Sequence, residues 1–148
     1  MNMGNDLKWY YALAAVAAAD DTDSDSALVD TSGYEGCIFV TPITDSVATG
    51  VATLTAKQCD TSGGTYAALS GAVATATCAI NDDLNSTLLI VDVYRPQERY
   101  LKANLASLTA NIAFGDTIAI LYGAHAPAVT QLAAEVSQLT AVASPAEA

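Results

Sequence analysis

Thr87 to Tyr94 reads TLLIVDVY, an apolar, β-branched run whose one charge is Asp92, and residues 95–98 after it read RPQE. A run of this length and composition, closed by a turn, is a strand, and its apolar continuity is that of a strand covered on both faces. Pro96 presets one turn dihedral and cannot donate to a ladder. Arg99 to Leu105, RYLKANL, then places Leu101, Ala103 and Leu105 on one side, so Thr87 to Leu105 reads as a hairpin.

The same pattern extends outward. Cys37 to Val40 is β-branched and aromatic, and Pro42 marks a strand end or edge. Val51 to Cys59 alternates, with Ala52, Leu54 and Ala56 on one face and Thr53, Thr55 and Lys57 on the other. Asp60 to Gly64 is loop, Val73 to Ile80 is an alternating Ala/Thr strand, and Asn81 to Asp83 turns it. Ile112 to Tyr122 closes the series, with Ile112, Phe114, Ile118, Ile120 and Tyr122 assigned to one face. Short alternating strands with turns roughly every eight to twelve residues are those of a sandwich or barrel. The expectation is an all-β chain, a single antiparallel β-sandwich, jelly-roll-like or immunoglobulin-like, over residues 30–123. Residues 1–29 and 124–148 flank it as arms.

In the N-terminal arm, Leu7 to Ala19 reads LKWYYALAAVAAA. Its length and the Ala17–Ala19 cleavage pattern fit a signal peptide, but Asp6 spoils the positive lead, and the segment is read as mature protein. It is too short to span a bilayer as a helix. The alanines and the spacing of Trp9, Leu13 and Val16 suggest a short helix, with an extended arm as the alternative. Asp20 to Asp30 holds five acids and reads as solvated loop. Asp21, Asp23 and Asp25 alternate as calcium ligands do, but Ser26 and Ser32 stand where such a loop needs Gly and Glu, so no metal site is expected. In the C-terminal arm, Val129 to Val142 reads as a weak amphipathic helix through Leu132, Val136 and Leu139, or as an extended arm. Ala126-Pro127 is expected to end the last strand, and Ser144 to Ala148 to fray.

Sixteen acidic residues against five basic ones give a net charge of −11, which argues against nucleic-acid and anionic-membrane partners. Charged residues make up 14% of the chain and apolar ones 52%, so part of the apolar surface is expected to meet a partner. Cys37, Cys59 and Cys78 are odd in number; all three are expected to be reduced and buried, with a Cys59–Cys78 bridge as the alternative. His125 is the single histidine, and the chain holds no GxSxG elbow, Walker loop, dinucleotide fingerprint or CxxC. No catalytic residue and no cofactor is expected. Trp9, Tyr10 and Tyr11 in succession are candidate anchors for a neighbouring subunit. Arg95 and Arg99, clustered with Lys102, either pair with Asp92 and Glu98 across the turn or dock on an acidic partner.

The order of these segments, from GYEG at residues 33–36 through DVYRPQERY at Asp92–Tyr100 to IAILYG at residues 118–123, resembles the head decoration, or cement, proteins of tailed bacteriophages. The resemblance covers roughly Asp30 to Pro127. It implies a compact β domain bound in many copies to the major capsid protein on the outer surface of the virion, stabilising the shell without catalysis. Self-association is expected with it, and a trimer is favoured over a dimer because trimers suit local three-fold positions. Trp9, Tyr10 and Tyr11 would serve as apolar anchors and Arg95 or Arg99 as polar ones. The main rival is a secreted or surface β-sandwich binding module, for carbohydrate or adhesion, with residues 1–19 as its signal peptide.

Overall fold

The computed structural model describes residues 3–126 and 129–141. After a helical turn at Met3–Asp6 come eleven strands: β1 (Lys8–Leu13), β2 (Val16–Ala19), β3 (Asp23–Asp25), β4 (Val29–Asp30), β5 (Gly36–Ser46), β6 (Val51–Cys59), β7 (Ala67–Thr77), β8 (Thr87–Tyr94), β9 (Tyr100–Leu108), β10 (Ile112–Phe114) and β11 (Thr117–Tyr122). They form two packed antiparallel sheets, a β-sandwich. In the first, β5 pairs with β8 on one side and with β10 and β11 on the other; β11 and β10 in turn pair with β1 and β2. In the second, β7, β6 and β9 lie side by side, and β3 and β4 pair end to end along β9.

Three of the strand positions are interrupted strands: β1 with β2, β3 with β4, and β10 with β11. Counted this way there are eight, and the first pairs with the last, the second with the seventh, the third with the sixth and the fourth with the fifth. Such nesting is one long hairpin rolled into two sheets, which is jelly-roll topology.

Between the sheets lies the core. Phe39, Ile43, Leu54, Leu101, Leu105, Ile112, Phe114 and Leu121 are fully buried there, and Ala52, Ala56, Ala103 and Ala119 let the sheets approach. Thr41 and Thr117 are buried too, and their hydroxyls satisfy one another at 2.8 Å. Cys37, Cys59 and Cys78 are buried and unpaired. The alternation of Val51–Cys59 and the inward set Leu101, Ala103 and Leu105 are as the sequence pattern predicts.

Several expectations are corrected. Residues 8–30 are four strands of the sandwich: within Leu7–Ala19 the extended alternative holds in place of the short helix, and the acidic stretch is partly strand rather than solvated loop throughout. Helix preference of the alanines amounts to a few tenths of a kcal/mol per residue, less than the sheet gains by pairing β1 and β2 and packing Tyr10, Ala12 and Leu13 on the core. Asp23–Asp25 is drawn into pairing with β9, where the Asn104 amide donates to both Asp23 and Asp25 at 2.7 Å and Lys57 meets Asp25 at 2.9 Å. Thr87–Leu105 is not a hairpin: β8 belongs to one sheet and β9 to the other, and residues 95–99 cross between them. Ile112 and Phe114 do not share a face with Ile118, Ile120 and Tyr122. Gly115 and Asp116 break the strand, so Ile112 and Phe114 point inward while Ile118, Ile120 and Tyr122 point outward. Residues 129–141 form a single turn, in which Val136 N–H donates to Leu132 C=O at 2.9 Å, and no helix. One turn carries the cost of nucleation without the gain of propagation. The expectations for Pro127 and for Ser144 to Ala148 lie outside the described residues.

Candidate functional site

A strand in a two-layer sandwich has one face in the core and one outside. The outer face of the second sheet is mixed: Thr53 and Thr75 pair across β6 and β7, Lys57, Asn104, Asp23 and Asp25 bond across β6, β9 and β3, and Val73 and Leu108 stand exposed among them. The outer face of the first sheet is apolar almost throughout. Register lines up Tyr11, Ile118, Val40 and Ile90 in one row across β1, β11, β5 and β8. The next row is Trp9, Ile120, Ile38 and Asp92, followed by Tyr122, Gly36 and Tyr94. Pro42 and Leu88 extend the face at its other end.

Leu88, Ile90 and Tyr94 are 56%, 51% and 57% exposed, which overturns the expectation that β8 is covered on both faces. Covering each of them again is worth about 1 kcal/mol at 25 cal/mol per Å². Asp92 is the one charge in these rows, and its carboxylate accepts from Tyr122 Oη at 2.7 Å. Tyr122 in turn lies over Gly36, where a Cβ would collide with its ring. An apolar face rimmed by polar residues on an otherwise wet protein is the usual mark of an interaction surface.

Burial first, then the neighbouring Asp92 carboxylate, push the Tyr122 phenol above its ordinary value of 10.0. Burial also pushes up the Cys37 thiol from 9.0. Both groups keep their protons in the folded state where the unfolded chain would lose them, so their contribution is complete below the unfolded values and declines as pH rises through the folded ones. The contribution of these two groups is therefore expected to be level to about pH 9 and to fall beyond it. Tyr122→Phe should make the fall above about pH 10 shallower in chemical denaturation; an unchanged pH profile would remove Tyr122 from this account.

The five candidate residues separate. Trp9 and Tyr11 stand on the apolar face, whereas Tyr10 alternates inward and packs on the core. Arg99 holds Asp30 through two hydrogen bonds of 2.9 and 2.7 Å, tying β4 to the start of β9, so it is a structural clamp. The Arg99 fork holds the Asp30 carboxyl below the usual carboxylate range, with burial opposing and the Ser32 N–H assisting. Arg95 makes no ion pair among the described residues and lies over the Tyr94 ring, 5.1 Å from its centre, beside the apolar face. It also borders a cleft of about 610 Å³ with Glu35, Glu98, Arg99 and His125. Expected pairings of the arginines with Asp92 and Glu98 are replaced by Asp30 for Arg99 and by Tyr94 for Arg95.

The C-terminal segment was not among the sequence-derived site residues. β1 is an edge strand, so the N–H groups of Trp9 and Tyr11 point away from β11. Gln131 Oε1 accepts from Trp9 N–H at 3.1 Å while its Nε2 donates to Leu7 C=O at 2.6 Å, and Glu135 accepts from Tyr11 N–H at 2.9 Å. Two side chains one helical turn apart are about 6 Å apart, close to the roughly 6.8 Å between alternate residues of a strand. Gln131 and Glu135 thus stand in for a paired strand and protect the edge. Three such bonds contribute about 3 kcal/mol, against an ordering cost of roughly 1–2 kcal/mol for each residue of the segment. No residue in 129–141 is buried, and a cleft of about 430 Å³ remains between the segment and Trp9, Tyr11 and Ile118. The Trp9 indole N–H is buried without a partner among the described residues.

The sequence signal for the face was present in Ile38–Val40, Leu88–Val91 and Ile118–Leu121, which are apolar on both parities. Among the described residues no third layer covers the second parity over β5 and β8, and only residues 129–141 lie beside it, at β1. No protein-family model matches the chain, and no curated protein matches its sequence.

Proposed function

We propose that the chain is a decoration protein of a tailed-bacteriophage head, which binds the major capsid protein from outside through the apolar face of β1, β11, β5 and β8. The observation that carries this reading is the asymmetry of the sandwich, with one outer face mixed and charged residues bonded across it, and the other built almost wholly of Trp9, Tyr11, Ile38, Val40, Leu88, Ile90, Ile118 and Ile120. Its support in sequence is the resemblance centred on Asp92–Tyr100. Jelly rolls recur in viral capsids, and also in lectins, so the fold lends support by analogy alone. Trp9 and Tyr11 act as aromatic anchors, with Arg95 on Tyr94 at the rim, since aromatic and Arg side chains dominate interface energetics. The role asks no chemistry of the chain and no cofactor. A ligand that binds only the assembled lattice stabilises it by mass action, and many modest contacts add through avidity.

Purified particles should carry the chain in fixed proportion to the capsid subunit. Particles made without it should release their genome at a lower temperature and regain resistance when the purified chain is added. Particles equally heat-resistant with and without the chain would end the cementing role, and an adhesive surface role would replace it.

A further inference from the structure

We propose that the outer edge of β1 is an arm-exchange site, at which residues 129–141 of one copy seat on β1 of a second copy through the Gln131 and Glu135 contacts seen within one chain. The occupant follows from the match between segment and edge. The groups offered by the edge, Leu7 C=O and the N–H groups of Trp9 and Tyr11, are met by an amide and a carboxylate at the spacing of one helical turn. Another copy of this chain carries that same pair, so exchange needs no new chemistry.

Within one chain the seat is poorly paid. Every residue of 129–141 remains at least partly exposed, Leu132 and Leu139 by 37% and 40%, and the cleft beside Trp9 and Tyr11 is unfilled. Seating the segment across a junction between copies lets Leu132, Leu139 and the neighbouring apolar face be covered together. Charge favours this route as well. Each copy carries −11, yet residues 129–141 hold a single charge, Glu135, so two copies meet here with the least repulsion. Every copy offers one segment and one edge, and such head-to-tail contacts are all satisfied when they close into a ring. The inference stands apart from the capsid reading, because it concerns the purified chain alone.

Full-length chains carrying Tyr11→Cys and one affinity tag are mixed, unfolded and refolded with chains carrying Glu135→Cys and a second tag, then exposed to mild oxidant. A disulfide joining the two tags, absent when either chain is oxidised alone, is the expected product. The complementary full-length variant Gln131→Ala/Glu135→Ala changes only side chains that are not buried, so it should keep the β-sheet circular dichroism. Its sedimenting mass should drop from that of several copies to that of one. Failure of the tags to cross-link, with the wild-type chain sedimenting as a single copy, overturns the proposal. So does a multi-copy mass that the double alanine variant leaves unchanged.

Discussion

On the proposed capsid role, Leu88→Asp combined with Ile90→Asp is expected to remove the chain from particles while leaving it folded. Both side chains sit on the outer face of β8 and are more than half exposed, so the isolated domain loses little by the change. At a docked interface the same positions would bury two unpaired carboxylates, each costing several kcal/mol. Affinity for the particle should fall at least about 100-fold, which corresponds to roughly 2.7 kcal/mol. Thr53→Asp with Thr75→Asp adds the same charge to the opposite, mixed face and should leave occupancy unchanged. The pair of double mutants separates a local effect from general repulsion. Equal losses from both faces would show that net charge, and not the apolar face, governs binding.

Phe39→Ala should produce the largest loss of stability. The ring is fully buried on the long central strand β5, between β11 and β8, where the inner faces of both sheets meet. Large-to-small truncation of a buried Phe costs about 3–5 kcal/mol, transfer and cavity terms together. Set against a total of about 5–15 kcal/mol for a domain, that is a large share of the fold. At about 2–4 °C per kcal/mol for a chain of this size, the melting temperature should drop by roughly 10–15 °C. Ile38→Ala, one residue away on the outer face, should cost much less in the isolated chain. A Phe39→Ala midpoint within about 3 °C of wild type would mean that the core collapses around the gap at little cost.

The apolar run at Thr87–Tyr94 shows how far a linear pattern reaches. Its composition specified a strand, and its continuity specified that both faces prefer to leave water. It did not specify what covers the second face. Among the described residues only the second sheet covers β8, so the remaining apolar positions, Leu88 and Ile90, become surface. The error over Ile112–Tyr122 has a different origin. A strand has a period of two, and the interruption at Gly115–Asp116 reverses the parity of everything after it. Residues 8–30 were hidden by composition, because alanine favours helix in isolation and aspartate favours loops. Their strand state comes from partners 70 to 113 residues away along the chain, on β9, β10 and β11.

By itself, then, the sequence determined the all-β class, the inward sets of β6 and β9, the acidic character and the excess of apolar side chains over what one core can hold. These are local or compositional properties, set by alternation and by charge. Tertiary structure alone decided the nested strand pairing, the separation of Tyr10 from Trp9 and Tyr11, the clamp of Arg99 on Asp30, and the seat of Gln131 and Glu135 on β1. Each of these depends on which distant strand lies alongside, and the free energy of that choice is shared among contacts that no short window of sequence contains.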